Sequence, residues 1–257
     1  MQPHCSSSDD WRVWFLAGLR TGIKTIPGSR ALWGLCDPRR RFERRLRRRH
    51  PGQLFQFANC TGMNRYPEVF SFVRDRLSEI ARPHLLSFGC STGEEVFTLR
   101  SYFPTAQIVG IDINPRNIAV CRERLRQVGD PYIRFDVAAS PSREGSACFD
   151  AIFCMAVLRR GELGSIDAAR CDPIICFSDF DRLVAGLSRC LKPGGMLAII
   201  HSNFRFSDAS TNSEYDTVFV VEPQGEPSPT PLFGKDNRRL PPIPYNDAVF
   251  QKRQNPG

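Results

Sequence analysis

The run from Leu85 to Glu95, L-L-S-F-G-C-S-T-G-E-E, holds the densest set of residues able to do chemistry. An apolar stretch ends at Gly89, a second glycine follows at Gly93, and carboxylates stand at Glu94 and Glu95. Glycines in such a turn permit unusual backbone angles and let a ligand approach the main chain. A helix opening at Gly93 presents free N–H groups to an anion. Nineteen residues after Gly93, Asp112 ends a second apolar stretch, I-V-G-I-D. A carboxylate there can accept hydrogen bonds from both ribose hydroxyls of an adenosine cofactor.

The same residues permit a competing chemistry. Gly89 to Gly93 also fits G-x-S-x-G, the strand-to-helix turn that exposes a nucleophilic serine in hydrolases, with Ser91 as the nucleophile. Asp150 and His201 follow in the order that such a triad needs. Only 110 residues separate Ser91 from His201, no H-G-G segment lies upstream, and Glu94, Glu95 and Asp112 would have no role.

These residues need elements to hold them. Apolar runs at His84–Phe88, Gln107–Ile113, Tyr132–Val137, Phe149–Val157 and Met196–His201 read as strands. Helical patterns continue from Gly93 to Phe103, over Ile118–Val128, and over Phe180–Leu191, the last stopped by Pro193-Gly194-Gly195. Strands alternating with helices predict a parallel sheet with right-handed crossovers. Asp216–Glu222 and Asp247–Lys252 have no helix evident between them and predict an antiparallel pair at the sheet edge. A proline-rich loop joins that pair.

The chain has 257 residues, 41% of them hydrophobic, enough for a core and against wholesale disorder. Its net charge of +8 is concentrated in Arg39–Arg49, which has eight arginines and Glu43, leaving +1 for everything else. In a helix, Phe42 and Leu46 would share one face and the arginines the remainder. That helix is either a solvated surface or a docking place for phosphate or carboxylate. Trp11–Cys36 is interrupted by four basic residues and does not predict a membrane span. The N-terminus shows no secretory pattern and the ten cysteines include no C-x-x-C. Both features predict a cytoplasmic protein with free thiols and no structural zinc or disulfide framework.

Later motifs decide between the two chemistries. S-T-G-E-E at Ser91–Glu95, F-D-A-I-F-C at Phe149–Cys154, L-K-P-G-G at Leu191–Gly195 and H-S-N-F at His201–Phe204 stand in order. So ordered, the chain resembles class I S-adenosylmethionine-dependent methyltransferases, and among them the chemotaxis receptor methyltransferases (the CheR family). Asn59–Arg65, N-C-T-G-M-N-R, is similar to that family's N-x-T-x-F-F-R, with Met63-Asn64 in place of the aromatic pair. The resemblance covers about Asn59 to Arg253.

It implies a Rossmann-like α/β fold, mostly parallel with an antiparallel C-terminal edge pair, in residues 59–257. A small arginine-rich helical region would fill residues 1–58. It implies S-adenosylmethionine as cofactor. Gly89, Ser91 and Gly93 would form the turn around it, and Asn59, Thr61 and Arg65 would contact it, Arg65 near the methionine carboxylate. Glu94 or Glu95 would meet the ammonium and Asp112 the ribose. Asp136 and Val137 would flank the adenine, and Met155 and Ala156 would line the methyl-transfer end. The cofactor's chemistry fits independently: a sulfonium, an ammonium and a carboxylate call for carboxylates and for an arginine or a helix terminus.

Two departures bear on the acceptor. After the fourth strand, Met155-Ala156-Val157-Leu158-Arg159-Arg160-Gly161 replaces R-N-V-x-I-Y-F. Only 24 residues separate Asp112 from Asp136, too few for the inserted β-subdomain by which receptor methyltransferases are tethered. The expected acceptor is an O, N or carboxylate group on a small molecule or a protein side chain. Arg159, Arg160 and Arg170 could orient an acidic acceptor or could be solvated. His201 is a candidate general base or a structural histidine, and no catalytic residue is assigned. A nucleic-acid substrate clamped by Arg39–Arg49, or a cofactor-binding protein without catalysis, are the other classes.

Overall fold

The computed structural model describes residues 37–59, 61–222, 230–242 and 244–254. Trp11–Cys36 lies outside them, as does Cys60. The chain separates into two units between Arg49 and His50. In the first, the described residues form α1 (Pro38–Arg49), whose Glu43 pairs with Arg47 one turn on at 3.0 Å. A pair of this kind stabilises by only about 0.2–0.5 kcal/mol.

The second unit is built on seven strands in the order β3-β2-β1-β4-β5-β7-β6. These are β1 (His84–Phe88), β2 (Gln107–Asp112), β3 (Ile133–Val137), β4 (Phe149–Met155), β5 (Leu191–Ile200), β6 (Tyr215–Val220) and β7 (Asp247–Lys252). The first five pair in parallel, and β7 pairs antiparallel with both β5 and β6. The helices are α2 (Pro67–Arg76), α3 (Glu94–Tyr102), α4 (Pro115–Val128), α5 (Glu162–Ser165) and α6 (Phe177–Cys190).

Side chains alternate across a strand, so each central strand feeds two cores. Leu86, Phe88, Ile152, Cys154, Leu197 and Ile199 point to one face, where Phe180, Leu183, Val184 and Leu187 of α6 cover them. Leu85, Ala151, Phe153, Met155, Met196 and Ala198 point to the other. There they meet Val69, Phe70 and Val73 of α2, Val96 and Leu99 of α3, and Ile118 and Cys121 of α4. The alternation has a consequence for the site: Ser87, between Leu86 and Phe88, faces the α3 side.

One expectation is corrected. Pro193-Gly194-Gly195 does not separate a helix from a strand, because α6 ends at Cys190 and β5 begins at once. Phe149 pairs with Leu191 and Ala151 with Met196, so the segment is a bulge within β5. Gly194 takes φ +77°, which a residue with a Cβ adopts only with strain. The bulge places Lys192 against the carboxylate of Asp150 at 2.7 Å, and the other oxygen of Asp150 accepts the His84 N–H at 2.8 Å.

Asp150 thus ties the starts of β1 and β5 together, at the sheet end opposite Ser91. Asp150→Ala strands two donors and should lower stability by about 1–2 kcal/mol, read as a lower urea midpoint at unchanged slope.

Candidate cofactor-binding site

The site is assembled where β1, β2 and β4 end. Gly89 leaves β1 with φ +74°, and a Cβ there would lie 2.5 Å from Val157. The N–H groups of Gly89 and Cys90 both donate to the Ile111 carbonyl, at 2.8 and 3.0 Å. Ser91 takes φ +51° and Gly93 φ +95°, the latter capping α3 without a side-chain hydrogen bond. The first N–H groups of α3 therefore have no intrahelical acceptor and remain available to a ligand.

Asp112, 8% exposed, is the organising residue of the turn. Its Oδ2 accepts the Ser91 N–H at 3.0 Å, and its Oδ1 accepts the Asn114 N–H at 2.7 Å and Asn117 Nδ2 at 3.2 Å. Burial raises its pKa above the ordinary carboxylate value, and these three hydrogen bonds oppose the rise. A carboxylate has about four acceptor positions. Three are occupied, so Oδ2 keeps room for one further donor rather than for both hydroxyls of a ribose.

Asn117 extends this network to the upstream loop. Its side chain exchanges two hydrogen bonds with Asn59, at 2.8 and 3.0 Å, and receives one from Asn114 Nδ2 at 3.2 Å. The loop is held again further on, where Asn64 N–H donates to Thr98 Oγ1 at 3.0 Å. Sequence reasoning missed Asn114 and Asn117. The signal was present, since Asn114-Pro115 is a helix start and Asn114 caps α4 by accepting the Arg116 N–H at 3.0 Å.

The two adjacent glutamates separate. Glu94 is engaged at the rim by Thr92 Oγ1 at 2.7 Å and Arg124 at 2.8 Å. Glu95 turns inward, and its carboxyl receives the Ser87 hydroxyl at 2.7 Å. Burial pushes its pKa up to about 7, against the hydrogen bond from Ser87 and the charge of Arg65. A carboxyl so placed is half ionised near neutrality and would gain by meeting a cation.

The remaining expected residues lie around this centre. Val137 stands directly across the sheet from Asp112, with Asp136 beside Ile111. Asp136 is partly exposed and pairs with Arg134 and, at 3.6 Å, with Arg122. Met155 and Ala156 sit at the tip of β4, where Ala156, φ +58°, donates its N–H to Ile200 at 2.8 Å. Arg65 is exposed, its guanidinium 5.2 Å from the Tyr66 ring centre. Thr61 is half-buried in the loop between Asn59 and Arg65.

The geometry does not support the hydrolase triad. Asp150 is committed to His84 and Lys192 at the far end of β4, about 13–16 Å from the strand tip at 3.3 Å per residue. His201, φ +53° at the end of β5, packs on Tyr66 with ring centres 5.8 Å apart. Burial, then the charges of Arg159 and Arg65, lower its pKa to about 4, so it is uncharged and a weak base near neutrality. Among the described residues no cluster of three His, Cys, Asp or Glu could hold a metal, and no helix is long and apolar enough to cross a membrane.

The donor set suits S-adenosylmethionine. An inward-turned, half-buried carboxyl at Glu95 matches an ammonium, and a spare acceptor at Asp112 matches a ribose hydroxyl. Ser91 Oγ is buried with no hydrogen-bond partner among the described residues, an orphan that a ligand would satisfy.

Comparison with known proteins agrees. Residues 83–227 match the family model described as a methyltransferase domain. An uncharacterised protein of Synechococcus sp. is 33% identical over 141 residues, covering 52% of this chain and 29% of that protein. A trans-aconitate 2-methyltransferase of Acidovorax sp. is 31% identical over 126 residues, covering 48% of this chain and 40% of that enzyme. The chain thus spans less than half the length of these two relatives. The YcgJ protein of Bacillus subtilis is 19% identical, with coverage of 52% and 50% and a TM-score of 0.39. A sheet of the order above, the Gly-rich turn with its two carboxyls and the match over residues 83–227 lead to one assignment: the chain belongs to the class I S-adenosylmethionine-dependent methyltransferase domains.

Proposed function

We propose that this protein is a methyltransferase acting on an O, N or carboxylate group of a small molecule, with residues 59–257 as the catalytic domain. The observation that carries the reading is a pair of carboxyls, the half-buried Glu95 and the buried Asp112, on either side of a turn with orphan helix N–H groups. The printed names of relatives, among them trans-aconitate 2-methyltransferases of Acidovorax and Deinococcus radiodurans, support a small-molecule acceptor. The likeness of Asn59–Arg65 and Ser91–Glu95 to CheR-type motifs supports Asn59, Thr61 and Arg65 as cofactor contacts. A cytoplasmic location accords with the free cysteines, five of them buried.

The bound cofactor would supply an electrophilic methyl group on a sulfonium. The chain's own residues orient it. Glu95 would hold the ammonium, Asp112 the ribose through Oδ2, and Val137 with Asp136 the adenine edge. Gly89, having no Cβ, leaves the turn open beside Val157. Met155, Ala156, Tyr66 and His201 would close the methyl-transfer end against water. Alignment of donor and acceptor in such an enclosure is the main source of rate.

The exposed arginines of α1 favour one second reading, a nucleic-acid substrate held by its phosphates, whose binding would weaken steeply with salt.

Calorimetry tests the proposal. Ligand-free protein should bind S-adenosylhomocysteine one to one, and absence of binding would overturn it.

A further inference from the structure

Three arginines follow β4 and could face an acceptor: Arg159, Arg160 and Arg170. The structure separates them. Arg160 is 5% exposed, donates to the Phe55 carbonyl at 3.4 Å and pairs with Glu162 at 3.0 Å. Arg170 pairs with Asp172 at 2.7 Å. Arg159 differs from both, because its Nε is buried with no hydrogen-bond acceptor among the described residues. An arginine held in that state has lost water at one donor without replacing it, a condition that an incoming anion relieves.

The backbone on both sides of Arg159 is anchored. Leu158 and Arg160 are both anchored to Asn203: Asn203 N–H donates to the Leu158 carbonyl at 2.9 Å, and Arg160 N–H donates to Asn203 Oδ1 at 2.6 Å. Both neighbours are buried, and the charge of Arg159 between them reaches His201 at the end of β5. The tips of β4 and β5 are joined by the Ala156 N–H to Ile200 hydrogen bond, and His201 follows there. Arg159 and Arg65 are the charged groups that act on His201, and Tyr66 is the ring against it. The charge of Arg65 also reaches Glu95, which the proposed function commits to the cofactor ammonium. The methyl-transfer end is therefore cationic, and its one imidazole is uncharged and weakly basic.

Resting on the methyltransferase reading, we propose that Arg159 binds a small organic acid whose ionised carboxylate is itself the methyl acceptor. Guanidinium forks match carboxylates, and the ionised form carries a nucleophilic lone pair without help from a base. One carboxylate oxygen forms the new O–CH3 bond as the methyl–sulfur bond breaks, the electron pair of that bond stays on sulfur, and no proton moves. This arrangement explains why no strong base is needed at this end. A hydroxyl or amine acceptor would need one, whereas burial first, and the charges of Arg159 and Arg65 second, hold His201 neutral.

The test uses the full chain. Succinate and citrate are titrated calorimetrically into protein saturated with S-adenosylhomocysteine. Protein with methyl-labelled S-adenosylmethionine is separately incubated with the small-molecule fraction of a cell extract. We expect at least one acid to bind and Arg159→Gln to weaken it at least tenfold, with S-adenosylhomocysteine affinity changed less than twofold. Arg159→Lys should recover part of the loss. Label should enter a product that releases methanol in mild alkali, as a methyl ester does. Binding of neither acid, unchanged binding by Arg159→Gln, or label that is stable to alkali would overturn the proposal. Failure of the wild type to bind S-adenosylhomocysteine would instead overturn the methyltransferase reading beneath it.

Discussion

Asp112→Ala should weaken S-adenosylhomocysteine binding by about 10- to 100-fold, measured by calorimetry. Two losses combine. A hydrogen bond from a ribose hydroxyl to a carboxylate contributes about 1.5–3 kcal/mol, and each 1.4 kcal/mol is tenfold in affinity. The turn also loses the acceptor that holds the Ser91 and Asn114 N–H groups at 3.0 and 2.7 Å. With those groups released, Ser91 has less reason to keep φ +51°, and the cradle beneath the ligand relaxes. Asp112→Asn retains one acceptor oxygen, so it should fold like the parent and bind with an intermediate loss. Unchanged binding by Asp112→Ala would remove the ribose assignment.

Glu95→Gln should cost about 100-fold in the same measurement and should also abolish a pH dependence. Partial burial against Ser87 puts the pKa of this carboxyl at about 7. An ammonium ligand requires the ionised form, so apparent affinity scales with the ionised fraction. That fraction grows about fivefold from pH 6 to pH 7 and less than twofold above it. Wild-type affinity should therefore rise over this interval and level off, while Glu95→Gln stays flat. The cost of removal is large because an unpaired buried ammonium forfeits about 3 kcal/mol or more.

The same group sets a stability trend in the ligand-free protein. Its folded pKa lies above the unfolded carboxylate value, so the native state holds this proton more tightly than the unfolded chain does. The stabilisation that results is complete below about pH 4.5 and is lost as pH rises through about 7. Ser87 and Arg65 oppose the shift, and the buried thiol of Cys154 lies close enough to feel the charge of Glu95. A ligand ammonium reverses the balance, so the pH dependence of stability should shrink when S-adenosylhomocysteine is bound.

How much of this was readable beforehand depended on the range of the interactions. The β1–turn–α3 unit and Asp112 are encoded locally. Apolar runs that alternate between two faces, glycines at positive φ and a carboxylate at a strand tip each leave a mark within ten residues. The antiparallel closing of the sheet was legible for a similar reason, since no helical pattern is evident in the proline-rich stretch between the two strand patterns.

What stayed hidden required partners from far along the chain. Asn117 gains its role from Asn59, 58 residues away, and no periodicity announces such a pair. Glu94 and Glu95 are identical in type and adjacent. Only the docking of α3 over Ser87 decides which one turns inward to that hydroxyl. The Pro193-Gly194-Gly195 segment reads as a stop because both residue types break regular structure. The pairing of β5 with β4 absorbs it as a bulge instead, an override of local preference by the sheet. Arg159, Arg160 and Arg170 could not be ranked in the sequence for the same reason. Their difference lies in the carbonyl of Phe55 and the carboxylates of Glu162 and Asp172, which only the folded chain brings into reach.

The central claim is that Glu95 and Asp112 receive opposite ends of S-adenosylmethionine across the Gly89–Gly93 turn. A crystal structure of the protein with S-adenosylhomocysteine tests it most directly. The ligand's ammonium should lie on the Glu95 carboxylate and one ribose hydroxyl on Asp112 Oδ2, with the sulfur directed toward Met155, Ala156 and Arg159. A nucleoside bound elsewhere, or bound at this turn with its ribose away from Asp112 and its ammonium away from Glu95, would contradict the account.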